Sequence, residues 1–225
     1  MRDGDVNLDW SHNFFKGYNQ GTDEANMKAA CRYFMRCVNK LGIKNVAMLS
    51  PYHKKGAIST DSLNALLQEA FNPDKGRGSV KSMGQTLRFG DRVMQLKNTP
   101  TAVNGDVGTI QLVNEQADVD EPCVVVKFDN NDLIKEYTRD ELNQLELAYA
   151  LSVHKSQGSQ YPCVVMVLPT ECSAFLRRDL VYTGATRASK YVAFFGPLST
   201  LQHAIRNGSL DTRYTALSPL LARKD

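Results

Sequence analysis

Several patterns that place a protein quickly are missing from this chain. Its five cysteines (Cys31, Cys37, Cys123, Cys163 and Cys172) form no C-x-x-C pair, and its four histidines are scattered. Neither a zinc site nor a disulfide framework is therefore indicated, no metal ligand is assigned, and reduced thiols in a cytoplasm are the expectation. No apolar run reaches the roughly 18 residues of a membrane span, and no charged-then-apolar leader opens the chain, so no membrane partner is expected. The pattern G-x-x-x-x-G-K-[ST], a loop whose backbone amides cradle nucleotide phosphates, does not occur. That argues against a self-sufficient nucleotide hydrolase. Strong charge is lacking too: a net +3 with a pI near 8.5 permits a nucleic-acid partner without demanding one.

What is present suffices for a folded protein. With 42% apolar and 23% charged residues over 225 positions, the chain can build one good core or two small ones. Residues 13 to 78 alternate strand and helix signals. Phe14-Phe15 is a short apolar entry, and Met27, Ala30, Cys31, Phe34, Val38 and Leu41 recur at helical spacing behind Thr22, with Gly42 as the stop. Val46 to Leu49 predicts a buried strand. Leu63, Leu66, Leu67 and Ala70 predict a second helix ending at Asn72-Pro73. This β-α-β-α order favours a parallel sheet, hence the α/β class.

From about Ser79 to Gln144 the pattern changes to short strands, Arg92 to Lys97, Val107 to Val113, Cys123 to Phe128 and Leu133 to Thr138, with Asn104-Gly105-Asp106 as a turn signal. A small β-barrel or ribbon is expected there. The α/β pattern then returns with strands at 147 to 151, 164 to 168 and 191 to 195, and helices over 173 to 188 and 200 to 207. The expected organisation is therefore a discontinuous α/β domain, 1–78 and 145–225, interrupted by an all-β insertion at 79–144. Asp140-Glu141 imitates the acidic pair of a metal-binding strand. It follows Tyr137-Thr138-Arg139 rather than a buried apolar run, which makes it a surface turn.

Three segments carry chemistry. In open parallel sheets ligands gather beyond the carboxyl ends of the strands, and all three are expected at such ends. Ser50-Pro51-Tyr52-His53-Lys54-Lys55-Gly56 brings two adjacent cations, Lys54 and Lys55, to the end of the strand at 46 to 49; a solvated basic loop is the plain alternative. Ser152 to Gln160 combines Ser152, His154, Lys155 and Ser156, which can donate to phosphates, with Gly158, which lets a backbone approach closely. Its alternative is a polar loop between buried strands. In Val181 to Ala188, Thr183 and Arg187 stand four apart on one helical face; the alternative for Arg187 is a helix-dipole partner.

On these residues the chain resembles the C-terminal motor domain of superfamily 1 DNA helicases, in the RecD/TraA-like branch of exodeoxyribonuclease V alpha-type proteins. Met48 to Pro51, through Asn64 and Gln68, is similar to the family's fourth motif. Phe89 to Gln95 and Asn104 to Gly108 are similar to its SH3-like insertion, Val153 to Ser159 to its fifth motif, and Tyr182 to Ala188 to its sixth. The resemblance implies a RecA-like second motor domain with an SH3-like β-barrel inserted. It implies that Arg187 is an arginine finger, that Gly158, Gln160 and Thr183 join it at the nucleotide, and that Ser152 and His154 touch single-stranded DNA, with Lys155, Ser156, Lys54 and Lys55 expected beside them from their own chemistry. Gln160 stands where relatives usually carry a Glu that holds the nucleotide sugar. ATP and Mg2+ are implied as cofactors of a longer parent, with none held by this chain alone. The implied partners are single-stranded DNA, an N-terminal motor domain carrying the phosphate loop, and other subunits of a helicase-nuclease complex, with 5′ to 3′ movement. Lys81, Arg88, Arg92 and Lys97 are further candidate backbone contacts, and Tyr52, Tyr149 and Tyr182 candidate stacking platforms. A non-catalytic DNA- or protein-binding module is the alternative function; steep salt dependence of binding separates a phosphate contact from an apolar interface.

Overall fold

The computed structural model describes residues 15–54, 56–130, 132–172 and 175–208. A five-stranded sheet is built from β1 (Phe15–Tyr18), β2 (Val46–Ser50), β10 (Ala150–Ser152), β11 (Tyr161–Val167) and β12 (Ala188–Phe195). They lie in the order β1-β12-β11-β2-β10, and every pair is parallel. Four helices pack on it: α1 (Asp23–Leu41), α2 (Thr60–Phe71), α3 (Arg178–Ala185) and α4 (Leu198–Arg206).

The central strands are apolar without alternation because both faces are covered. Val46, Met48, Cys163 and Val165 join Ala30, Phe34, Cys37 and Leu67 of α1 and α2 on one side. Ala47, Leu49, Val164 and Met166 join Val181, Leu201 and Ala204 of α3 and α4 on the other. Local chemistry sets the helix ends. Thr22 Oγ1 accepts from Ala25 N at 3.2 Å, Asp23 and Glu24 occupy the first turn of α1, and Gly42 ends it at φ 85°.

The expected β insertion is present but is not closed. A hairpin, β3 (Ser79–Ser82) with β4 (Gln85–Arg88), precedes an antiparallel sheet of β5 (Arg92–Gln95), β6 (Val107–Val113), β7 (Val124–Phe128), β8 (Ile134–Tyr137) and β9 (Leu145–Leu147), ordered β8-β7-β6-β5-β9. No pairing among the described residues joins β8 to β9, so the expected barrel is an open, twisted sheet with the hairpin beside it. The strand expected at 147 to 151 is two strands. β9 pairs with β5, then Ala148-Tyr149 carries the chain across to β10, which pairs with β2. Alternation could not show that break, because Leu147 to Leu151 is buried throughout. The expected helix at 173 to 188 is the shorter α3, and β12 already begins at Ala188. Asp140-Glu141 sits in a 3-10 turn, where Thr138 and Glu141 cap each other reciprocally.

One buried acid fastens the two sheets together. Asp91, 0% exposed, accepts from Gln68 Nε2 (2.5 Å), Asn72 Nδ2 (2.7 Å), Arg88 N (2.7 Å) and Tyr149 OH (3.0 Å). Its donors come from α2, from the insertion and from the strand return. Burial pushes its carboxyl above the usual carboxylate range, and the four hydrogen bonds only partly counter that. Asn64 of α2 makes a second fastening: it donates to Leu147 O and Ala150 O and accepts from Ala150 N at 2.7 Å.

Candidate functional site

The marked segments occupy two opposite ends of the parallel sheet. At the carboxyl end, β2 stops at Ser50 and β10 at Ser152, and Val153 N bonds to Ser50 O at 3.1 Å, which ties the two exit loops together. The Ser50 hydroxyl is fully buried; it donates to Ile58 O at 2.5 Å and accepts from Tyr52 N. Ser152 Oγ accepts from Lys155 N at 3.4 Å at the start of a 3-10 turn. Ser156 is 0% exposed, and its hydroxyl donates to Val153 O at 2.7 Å. Ser156 therefore closes the turn from inside, so its hydroxyl is engaged where its side-chain type had suggested a phosphate donor. Lys54 and His154 are exposed beside it. Lys55 lies outside the described residues.

Lys155 is half-buried and already engaged. Its ammonium pairs with Glu146 of β9 and lies 3.5 Å from His53 Nε2; His53 in turn lies 3.8 Å from Glu146 Oε2 and 3.7 Å from Asp61 Oδ1. These groups line a cavity of about 520 Å³ between the exit loops, α2 and the β3-β4 hairpin. Glu146 and Asp61 went unrecognised in the sequence. Glu146 sits in a plain Leu-Glu-Leu alternation, and Asp61 lies in the first turn of a helix, where an acid is unremarkable.

Arg187 lies at the other end. β10 and β11 run parallel, so the segment after Ser156 must cross from the carboxyl to the amino end of the sheet before Tyr161 opens β11. Gly158, at φ 85°, allows the reversal. Gly158 and Gln160 are exposed there. Arg187 immediately precedes β12, and its carbonyl accepts from Tyr161 N at 2.8 Å. The expectation that all three segments stand at carboxyl ends is therefore corrected for Arg187 and for the tail of the second segment. A helix leading into a parallel strand must deliver its last residues to the amino edge.

The Arg187 guanidinium is half-buried and held by oxygen atoms of neutral groups: Nε donates to Thr183 O (3.1 Å), Nη1 to Ser159 O (3.2 Å) and Nη2 to Thr186 Oγ1 (3.4 Å). Among the described residues no carboxylate pairs with it. An arginine braced in this way keeps its charge uncompensated, and two of its five N–H groups are left for an anion. Thr183 acts here through its backbone carbonyl. Beside this loop Ser159, Gln160 and Tyr161 wall a cavity of about 430 Å³, whose far side is Arg92 and Asp129 of the insertion.

The remaining candidates divide. Arg92, only 8% exposed in its side chain, is bidentate to Asp129, and Arg88 pairs with Glu69 at 2.6 Å, so neither is a free backbone contact. Tyr149 is buried, stacked on Phe71 with ring centroids 5.9 Å apart, and bonded to Asp91; it is not a stacking platform. Tyr182, 69% exposed, stays available, as do Lys81 and Lys97 at the surface. The described residues hold no cluster of His, Cys, Asp and Glu fit for a metal ion, and none of their helices is long and apolar enough to cross a membrane.

Comparison with known proteins identifies two regions of the chain. Residues 147–194 fit the UvrD-like helicase C-terminal domain, and residues 63–128 fit the SH3 domain of ATP-dependent RecD-like DNA helicases. The chain is 38% identical over 174 residues to the ATP-dependent RecD2 DNA helicase of Deinococcus radiodurans, covering 76% of this chain and 23% of that protein. It is 48% identical over 61 residues to the RecBCD enzyme subunit RecD of Haemophilus influenzae, covering 27% of this chain and 10% of that one. It thus spans about a quarter of the first relative and about a tenth of the second. Among solved structures, Pif1 helicase from Candida albicans is similar with a TM-score of 0.48 at 17% identity, over 88% of this chain and 57% of that one. With the SH3 domain matched over residues 63–128 and the UvrD-like C-terminal domain over 147–194, the chain belongs to the RecD-like DNA helicases, as a part of their C-terminal region.

Proposed function

We propose that this chain is the second motor half of an ATP-dependent DNA helicase, moving 5′ to 3′ along single-stranded DNA. In this reading 1–78 and 145–225 form the motor domain and 79–144 the guiding insertion, except that β9 (Leu145–Leu147), which pairs with β5, goes with the insertion. The observation that carries it is the uncompensated Arg187 at the amino edge of the sheet, opposite the basic exit loops. ATP with Mg2+ sits on the phosphate loop of a preceding domain. Arg187 reaches its transferring phosphoryl group, with Gln160 and the Gly158 turn beside the sugar. The opposite edge, with Lys54, His154 and Lys155, and Ser152 at its root, holds the phosphate backbone of one strand. One rigid sheet joins the two ends, so closing the domains over ATP shifts the grip on DNA. The names of the relatives, an ATP-dependent DNA helicase and a subunit of the RecBCD enzyme, support ATP, DNA and partner subunits, which this reading takes to be those of a helicase-nuclease complex in the cytoplasm.

In the full-length protein, Arg187→Ala is expected to lower DNA-stimulated ATP hydrolysis by about 10³-fold or more while nucleotide affinity changes little. Steady-state hydrolysis beside binding of a fluorescent ATP analogue measures both. Retained turnover overturns the assignment of Arg187, and vigorous hydrolysis by the 225 residues alone overturns the half-motor reading.

A further inference from the structure

The lysine best placed to hold a strand at the carboxyl edge is already held by the insertion. Lys155 rises from the loop after β10, and its ammonium pairs with Glu146. Glu146 belongs to β9, the closing strand of the antiparallel sheet, where Leu145 and Leu147 point into the core and leave Glu146 on the opposite face, over the cavity. The two side chains are 16% and 27% exposed, so a solute ion can reach the pair but water screens it only partly. Three cations (Lys54, Arg88, Lys155) and two carboxylates (Asp61, Glu146) line the cavity, with His53 between Glu146 and Asp61. Arg88 is taken by Glu69. Lys54 is exposed and Lys155 is tied, so the anion-binding strength of this edge depends on whether Glu146 holds or releases Lys155.

We propose that Glu146 competes with the DNA phosphodiester for Lys155, so that the insertion sets how tightly this edge grips a strand. A phosphate arriving at Lys155 meets the Glu146 carboxylate and must push it aside. β9 connects through only Ala148-Tyr149 to β10, and Tyr149 bonds to Asp91. Glu146 thus stands three residues before the tyrosine that fastens the two sheets. Grip and insertion are coupled, and Glu146 is a positioning residue that touches no substrate atom in the closed state. This rests on the DNA-gripping reading above.

The test is binding of a fluorescein-labelled oligothymidylate to the full chain, followed by anisotropy across a salt series. Glu146→Gln is expected to tighten binding about 3- to 10-fold and to steepen the salt dependence by about 0.7 in log-log slope, one more phosphate contact on a single strand. Glu146→Asp, with a shorter reach and its charge intact, should fall between the two and keeps the test alive if the amide variant folds poorly. In a Lys155→Ala background Glu146→Gln should change nothing. If Lys155→Ala weakens binding but Glu146→Gln leaves it unchanged or weakens it, the competition is refuted and the DNA reading stands. If Lys155→Ala has no effect on binding, both the competition and DNA gripping at this edge are refuted.

Discussion

Replacing Asp91 with Asn tests whether the two sheets are fastened as described. The substitution keeps shape and volume but turns one acceptor oxygen into a donor. Oδ1 takes Asn72 and Tyr149, and Oδ2 takes Gln68 and the Arg88 amide. If the new amide nitrogen stands at Oδ2, the Gln68 and Arg88 donors lose their acceptor; flipped, it costs the Asn72 and Tyr149 bonds. Each buried donor left unsatisfied costs about 1–3 kcal/mol. Gln68 and Asn72 retain second bonds, to Thr86 O (2.8 Å) and Phe89 O (2.9 Å), which softens the loss. Removing a buried charge with no cation in direct contact returns part of the rest. A net destabilisation of about 2–4 kcal/mol is expected, from urea denaturation followed by circular dichroism. The pH dependence supplies a second readout. Asp91 has a folded pKa raised above its unfolded value of about 3.9. Its contribution is thus fully present below that value and is lost as pH rises through the folded one. The gap between wild type and Asp91→Asn should therefore narrow on going from about pH 4 to pH 8. A change below about 1 kcal/mol, or a gap that widens with pH, would refute the reasoning.

Two further outcomes follow from particular contacts. A Cβ at Gly108 would lie 2.7 Å from the Lys127 carbonyl oxygen and 2.7 Å from Val126 Cγ1, both in the paired strand, whereas one at Gly184 would meet the flexible Met166 tip at 3.0 Å. Gly108→Ala should therefore cost about 3 kcal/mol or more by thermal or urea unfolding and Gly184→Ala far less, and the reverse order would contradict the packing described. Burial pushes the Asp129 carboxyl up, but hydrogen bonds and charge from Arg92, then Lys44, outweigh it and hold the carboxyl below its ordinary range. Its stabilisation is present above the unfolded value of about 3.9 and is lost as pH falls through the lower folded one. Asp129→Asn should be less stable than wild type at pH 6, with the difference vanishing in stronger acid; a pH-independent gap would rule the ion pair out as its source.

The sequence by itself determined most of the α/β elements and their order, because burial on two faces demands unbroken apolar strands and helix ends carry their own signals at Thr22 and Gly42, but not the β3-β4 hairpin or the break between β9 and β10. It also marked the segments that face outward, since Lys, His and Gly clustered between buried strands have no packing reason to be there. Tertiary structure alone decided which end of the sheet each segment serves. A loop's residues carry no record of how far the chain travels before the next parallel strand, so Arg187 and Ser152 looked equivalent although they stand at opposite edges. It also decided which polar groups are engaged inside. Ser156, Arg92 and Tyr149 have the composition of ligand contacts, but the Val153 carbonyl of its own turn takes up Ser156, and the long-range partners Asp129 and Asp91 take up Arg92 and Tyr149. The restraint on Lys155 comes from Glu146, whose place beside it depends on where the insertion's last strand returns to the parallel sheet.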